Sequence, residues 1–392
     1  MKELKHVLVN FGSRLGTAVF SLLISILISR QLGSEAKGFH ALFILNIALM
    51  QLATHLFSGS ALVFLASRLP FRFLISLSLS WSVFSSLLLG FILWISNLLP
   101  NENRELLILS GILYALWSAL SNLILGKGNT NAYSMINFVQ AASIFLLTLT
   151  LFELVKTEIA SFIYAFLFSQ VISLGVCIYY TSRINFHTEN TPEKTSWKHL
   201  FRHGSYITLA GLTQLLSNRV LYFIIESRFG LGYLGIYSNA MALGESIWLI
   251  PRSFSTVLMA KGVTESDNTA NRKLTNRYVL FSLLLSAVAM IFLLALPCSF
   301  YTWLFGAGFD QIKSILPYLS AAILFGAMAH IYAHYFAGQG ANHHNFYGSL
   351  INLMVLLLSF WSLISVGILA APISASLSFL AMFLWLWWRF RC

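Results

Sequence analysis

The chain has 392 residues, of which 58% are apolar and only 9% are Asp, Glu, Lys or Arg. A soluble domain carries about a quarter charged residues, so the polar surface needed to cover a globule in water is missing, and the chain is too apolar to be disordered. The net charge of +11 fits basic cytoplasmic loops of a membrane protein better than a nucleic-acid partner, because base-binding folds need a polar domain.

Apolar runs lie near 11–29, 39–66, 73–96, 105–125, 132–152, 159–181, 205–226, 235–259, 278–296, 315–336, 346–369 and 372–388. Backbone amides in lipid must be satisfied within the segment, so each run is predicted to be a helix, and weak two-residue alternation argues against a barrel. The expectation is an all-α polytopic membrane protein of about 12 transmembrane helices. The first run has no small-residue cleavage site after it and reads as a retained span. Of the 24 Lys and Arg, 15 fall on the even-numbered breaks and the termini and 6 on the odd-numbered breaks. That bias predicts both termini in the cytoplasm, with the basic breaks 182–203 and 260–277 inside. Cys177, Cys298 and Cys392 show no metal spacing and read as packing residues.

Two segments echo each other. Gly33 and Gly38 follow the first run, with Arg30 before them; Gly230 and Gly235 follow the seventh, with Arg228 before them. They lie 197 residues apart, and half the chain is 196. A second echo pairs Gly126, Gly128 and Asn129 with Gly338, Gly340 and Asn342. Both point to duplication: a six-helix lobe at 1–181, a cytoplasmic linker at 182–203 and a second six-helix lobe at 204–392, as parallel-repeat transporters are built.

The stretch Ile28, Ser29, Arg30, Gln31, Leu32, Gly33 through Gly38 resembles the opening of polysaccharide flippases of the Wzx type, in the MOP superfamily. Gly204 to Tyr206, Phe229 and Gly230, Gly235 to Ala240, Leu304 to Gly306, the Gly338 to Gly340 turn and Asn352 extend the similarity over nearly the whole chain. The resemblance implies a two-lobed MATE-like fold in the bacterial inner membrane. It also implies that the chain moves an undecaprenyl-pyrophosphate-linked oligosaccharide, such as an O-antigen repeat unit of lipopolysaccharide biosynthesis, to the outer leaflet. The implied partners are that lipid-linked oligosaccharide, the lipid bilayer, and a polysaccharide polymerase and chain-length regulator. Family members commonly carry an acid in the seventh span where this chain has Asn218 and Arg219.

An ionisable side chain inside a span is costly and is a functional candidate by default. Arg14 lies about 22 Å and Arg252 about 25 Å below the expected outer face at the helical rise, one in each lobe. A guanidinium fork suits pyrophosphate, the alternative being snorkelling to the headgroups. Arg219, higher in its span, is either a further phosphate contact, a snorkelling side chain or one half of a pair. Ser238, Met241, Glu245, Trp248 and Arg252 share one helical face. Glu245 is the only acid well inside a span; it either binds a proton or cation during coupling or neutralises an Arg from another span. Gln214, Asn218 and Tyr222, with Trp248, Gln51 and His55, are candidates to face sugar hydroxyls, interhelical hydrogen bonding being the alternative. Gln51/His55 and His330/His334 have four-residue spacing but no evident third ligand, so neither a metal nor another cofactor is expected.

A polysaccharide polymerase or other membrane enzyme is the rival class, but no paired carboxylates, nucleophile motif or phosphate loop stands out and no catalytic residue is assigned. A multidrug exporter of the same superfamily is the nearer rival. Such exporters bind cationic drugs and need intramembrane acids, whereas three Arg against one Glu favour an anionic cargo carried by alternating access between the lobes.

Overall fold

With no water in a bilayer core to bond amides, an apolar chain satisfies them along its own axis. The computed structural model describes residues 2–58, 62, 70–100, 103–155, 157–183, 197–264 and 268–392, and every regular element among them is helical. In chain order these are α1 (Lys2–Ser58), α2 (Phe71–Ile95), α3 (Arg104–Gly126), α4 (Thr130–Leu154), α5 (Ile159–Ser182), α6 (Trp197–Ile247), α7 (Leu249–Thr264), α8 (Asn268–Ala295), α9 (Cys298–Phe305), α10 (Ile312–Gly338) and α11 (His343–Ser362). A 3-10 turn (Ile364–Leu369) and α12 (Ala370–Arg391) complete the chain. Nine stretches among the described residues are long and apolar enough to cross a membrane. Helices α6 and α7, which hold the expected runs 205–226 and 235–259, are not among the nine; they carry Arg219, Glu245 and Arg252.

Packing divides the chain into two units, one of Met1–Leu32 with Phe39–Leu212 and the other of Gly33–Gly38 with Thr213–Cys392. In the first, α3 packs against α2, α4 and α5, around Leu74, Trp117, Leu120, Ile136 and Cys177. Between Leu74 and Leu93 the buried residues of α2 are Ser78, Ser82, Ser85, Ser86 and Gly90, small residues that let helices approach closely. In the second unit α10 lies against α7, α8 and α12, around Leu258, Ile331, Tyr335, Phe336, Leu386 and Phe390. Leu280, Phe281, Leu284, Val288, Ile291 and Phe292 of α8 are exposed, an apolar surface suited to lipid. Residues 184–196 of the expected linker lie outside the described residues, and 197–203 are already helical in α6.

Both sequence echoes have matching backbone geometry. Gly33 (φ 80°, ψ −171°) interrupts α1 and Gly230 (φ 84°, ψ 170°) interrupts α6, in a region of backbone space that essentially only glycine enters. Their partners are reciprocal within the second unit: a Cβ on Gly38 would run into the Leu231 carbonyl, and one on Gly235 into that of Ser34. The second glycine of each echo thus packs on the residue following the first glycine of the other. At the other echo, Gly128 N–H donates to Leu125 O and Asn129 N–H to Ile124 O, as Gly340 does to Ala337 O and Ala341 to Phe336 O. Both are Schellman caps with a positive-φ glycine. Gly38→Ala and Gly235→Ala are each expected to cost about 1–3 kcal/mol by overpacking. Gly175→Ala, with open space around its Cβ, should be neutral or slightly stabilising. Thermal unfolding of the purified protein checks this; equal melting of all three variants would remove the close-approach argument.

Several expected boundaries move. The run 235–259 is not one helix: Pro251 has no N–H to bond the Ile247 carbonyl, and the chain breaks at Trp248 between α6 and α7. The run 346–369 ends as an α-helix at Ser362 and goes on as a 3-10 turn, in which Gly367 adopts φ 73° and the Ile368 carbonyl accepts from the Tyr233 hydroxyl at 2.6 Å. The break 297–314 contains α9, whose Tyr301 and Phe305 are buried. Lys313 there donates to the carbonyls of Leu294 and Leu296 at the end of α8, a cation on the negative end of a helix. Only Cys177 of the three cysteines is a packing residue; Cys298 and Cys392 are exposed at helix ends, and all three are free.

Candidate functional site

Gly230 turns α6 back on itself, and the contacts between its arms show this. Tyr222 and Tyr237, eight residues before the turn and seven after it, meet edge to face with centroids 6.1 Å apart. Further out, Arg219 meets Glu245 through two charge-assisted bonds, Nη1 to Oε1 at 2.7 Å and Nη2 to Oε2 at 2.6 Å. The paired forks are the strongest geometry these groups can adopt. Arg219 Nη1 also donates to the Tyr222 hydroxyl at 3.1 Å, and its guanidinium lies 5.2 Å from the centre of that ring. Tyr222 and Tyr237 are buried, whereas the side chains of Arg219 and Glu245 remain 27% and 21% exposed. The pair is therefore partly exposed rather than sealed.

Lys37 joins this cluster. Although the pattern of apolar runs places it in an outer break, it is 5% exposed and close enough to Arg219 to interact electrostatically. It stands one residue before Gly38, so the close packing of that glycine carries Lys37 inward. Two basic side chains and one carboxylate meet here. The Gly33–Gly38 segment was the available signal, since two glycines flanking a lysine mark tight backbone packing rather than a solvated loop.

Arg252 sits on α7, one turn past the break, and is exposed. It interacts electrostatically with His330 of α10, and no carboxylate or carbonyl accepts from its guanidinium among the described residues. Trp248 is buried instead of facing a cavity. Its Nε1 donates to the Ile323 carbonyl at 2.8 Å, its ring meets those of His330 and Phe379, and Gly326 leaves the space the indole fills. The helical face that groups Trp248 with Glu245 is thus interrupted by the Trp248 break. His334 Nδ1 lies 2.8 Å from the His330 carbonyl oxygen, and no group of three His, Cys, Asp or Glu able to hold a metal is found among the described residues.

Of the stripe on α6, Gln214 is exposed and Asn218 half-buried, while Tyr222 is engaged with Arg219. In the first unit Gln51 Nε2 donates to Ser118 Oγ at 3.1 Å, an interhelical bond, and His55 one turn on is half-buried. Asn122 Nδ2 donates to the Ser58 carbonyl at 3.0 Å nearby. Arg14 lies in α1, its side chain outside the described residues. The structure therefore brings Arg219, Glu245, Tyr222 and the unforeseen Lys37 together, leaves Arg252 open, and commits Trp248 and Gln51 to helix packing.

The profile of a family described as polysaccharide biosynthesis protein matches residues 27–314. Comparison with curated protein sequences gives no significant match. Among solved structures, an inward-facing multidrug resistance MATE transporter of the MOP superfamily is similar with a TM-score of 0.70 at 15% identity, over 96% of this chain and 94% of that one. The lipid II flippase MurJ in an inward closed conformation gives 0.68 at 14% identity, over 99% and 88%. A MOP transporter from Pyrococcus furiosus, for which a reversed polarity of the binding pocket suggests a different function, gives 0.60 at 14%, over 98% and 94%. At these identities the likeness establishes the fold: all-helical, of the MATE-like kind shared across the MOP superfamily.

Proposed function

As the chain belongs to the polysaccharide biosynthesis protein family, we propose that it is a flippase for an undecaprenyl-pyrophosphate-linked oligosaccharide. The cargo is the repeat unit of an O-antigen or related surface polysaccharide, moved from the inner to the outer leaflet of a bacterial inner membrane by alternating access. Both termini then face the cytoplasm, as the charge bias requires. The observation that carries the reading is the set of charged side chains well inside the apolar runs of the second unit, Arg219 and Arg252 against Glu245, in a chain otherwise apolar enough for lipid.

Each residue has a role that follows from its surroundings. Arg252, exposed and without an anionic partner among the described residues, is the first contact for the pyrophosphate. Arg219 has its fork occupied by Glu245 and accepts phosphate only when that carboxylate lets go. Binding of a proton or cation to Glu245 would do this, so coupling and cargo binding act on the same guanidinium. Gln214, Asn218 and His55 offer donors and acceptors to sugar hydroxyls, and the polyprenyl tail stays in lipid.

The fold is equally that of multidrug exporters, which makes export of a cationic drug the second reading. The excess of cations in the second unit weighs against it, because a cationic ligand would meet like charge. Depletion in the native host separates the two. A flippase leaves the lipid-linked oligosaccharide accumulating on the cytoplasmic face and surface polysaccharide absent. Unchanged polysaccharide with increased drug sensitivity would replace this reading with the exporter.

A further inference from the structure

The end of the second unit where α8 and α11 begin and α10 and α12 end carries an unusual concentration of positive charge. From Asn268 to Cys392 the only acid is Asp310, which lies between α9 and α10 at the opposite end; Glu265 and Asp267, just before α8, lie outside the described residues. Arg389 lies over two indoles, 4.9 Å from the centre of Trp385 and 4.6 Å from that of Trp388. Arg391 lies 4.4 Å from the ring of Trp387. No carboxylate or carbonyl accepts from either guanidinium among the described residues. His344 stands near Arg389. Its carbonyl accepts from Trp385 Nε1 at 3.2 Å, while its Nδ1 and the Nε of Arg389 are both buried without a hydrogen-bond partner.

The arrangement is held firmly. Arg272 of α8 donates to the Phe390 carbonyl and lies over that ring, Phe390 packs on Tyr332 and Tyr335 of α10, and Phe336 packs on His344. Four helix ends are thereby tied together around a cluster with no anion among the described residues. The side of α12 that carries Trp388 and Arg391 supplies an apolar track. Leu377, Leu384 and Trp388 are 42%, 46% and 49% exposed, and with Arg391 they follow steps of seven, four and three residues, so they share one helical face. Along that face leucines give way to an indole and then to a guanidinium, the order of groups met in passing from acyl chains to phosphate at a membrane surface.

We propose that Arg389, Arg391 and His344, with Trp385 and Trp388, form a headgroup site for an anionic phospholipid whose acyl chain lies along Leu377 and Leu384. The phosphodiester is met by Arg391 on the leucine face and by Arg389, which lies over Trp388 of that face, and it neutralises charge that no acid of α8–α12 neutralises at this end. A soluble phosphate would satisfy the arginines but leave the exposed leucine and indole face without a role, which is why the lipid is the occupant. This site stands apart from Arg219, Glu245 and Arg252 and does not depend on what cargo they meet.

The test uses the full-length purified protein and native mass spectrometry after addition of phosphatidylglycerol, phosphatidylcholine or inorganic phosphate at equal concentration. Wild type is expected to retain phosphatidylglycerol several-fold more than phosphatidylcholine and to retain no phosphate. In R389Q/R391Q that preference should fall at least fivefold. Should the double variant fail to elute as a monodisperse protein, R391Q alone serves, since Arg391 is exposed and makes no hydrogen bond to the rest of the chain among the described residues; its preference should fall about twofold. Equal retention of the two lipids by wild type, an undiminished preference in the folded variant, or retention of inorganic phosphate in place of lipid would each overturn the proposal.

Discussion

Arg252→Ala is expected to abolish surface polysaccharide in cells that contain the variant protein at its normal level. The side chain is exposed and makes no hydrogen bond or ion pair among the described residues, so its removal leaves no buried group unsatisfied and should hardly affect folding. What it removes is a fork for the pyrophosphate. A charge-assisted hydrogen bond contributes about 1.5–3 kcal/mol, so losing one reduces transport roughly ten- to a hundredfold and losing both contacts more. Arg252→Lys keeps the charge without the planar fork and should retain part of the activity. Quantitative immunoblotting alongside surface-glycan staining checks both. Normal export by well-expressed Arg252→Ala protein would remove Arg252 from the substrate path.

The second large effect concerns Arg219 and Glu245. Glu245→Ala leaves a largely buried guanidinium without its carboxylate, and breaking such a pair costs about 3–5 kcal/mol. The replacement Arg219→Met/Glu245→Leu removes both charges and fills the space, so its thermal stability should return to near that of wild type. Its transport should not return, because the switchable guanidinium is gone. Stability and transport therefore separate in the double variant and fall together in Glu245→Ala. Thermal unfolding of the purified proteins, paired with export in cells, reads the two quantities. If the double variant regained both, the pair would be a structural tie with no part in transport. Glu245→Gln refines the point, since a neutral amide holds Arg219 less tightly and cannot take up a proton. Transport by this variant that still responded to an ion gradient would deprive Glu245 of a coupling role.

Helices were legible in the sequence because their causes are local. Amide satisfaction forces any long apolar run into a helix. Glycines at positive φ leave a direct trace, and the Gly33/Gly230 and Gly128/Gly340 echoes have matching conformations. Helix ends were less accessible, since apolar residues continue past Ser362 and through Trp248 while proline and glycine geometry ends the helical hydrogen bonding.

The site was legible in residue type more than in arrangement. Depth and charge singled out Arg219 and Glu245, but pairing depends on α6 doubling back at Gly230, a contact between residues 26 apart that helical periodicity does not express. Helical periodicity does group Trp248 with Glu245 on one face, yet it cannot say that Gly326 on α10 leaves a slot for the indole. Lys37 escaped notice for the opposite reason. It sits in a polar break, and only the reciprocal contacts of Gly38 and Gly235 show that this break is packed inside the second unit.

The most direct measurement is transfer of a fluorescent undecaprenyl-pyrophosphate-linked oligosaccharide across proteoliposomes containing the purified protein, followed by quenching from the outside. The account predicts transfer well above that of protein-free liposomes, inhibited by excess unlabelled lipid-linked oligosaccharide and lost with Arg252→Ala. Transfer no faster than in empty liposomes, or equally fast with Arg252→Ala, would contradict it.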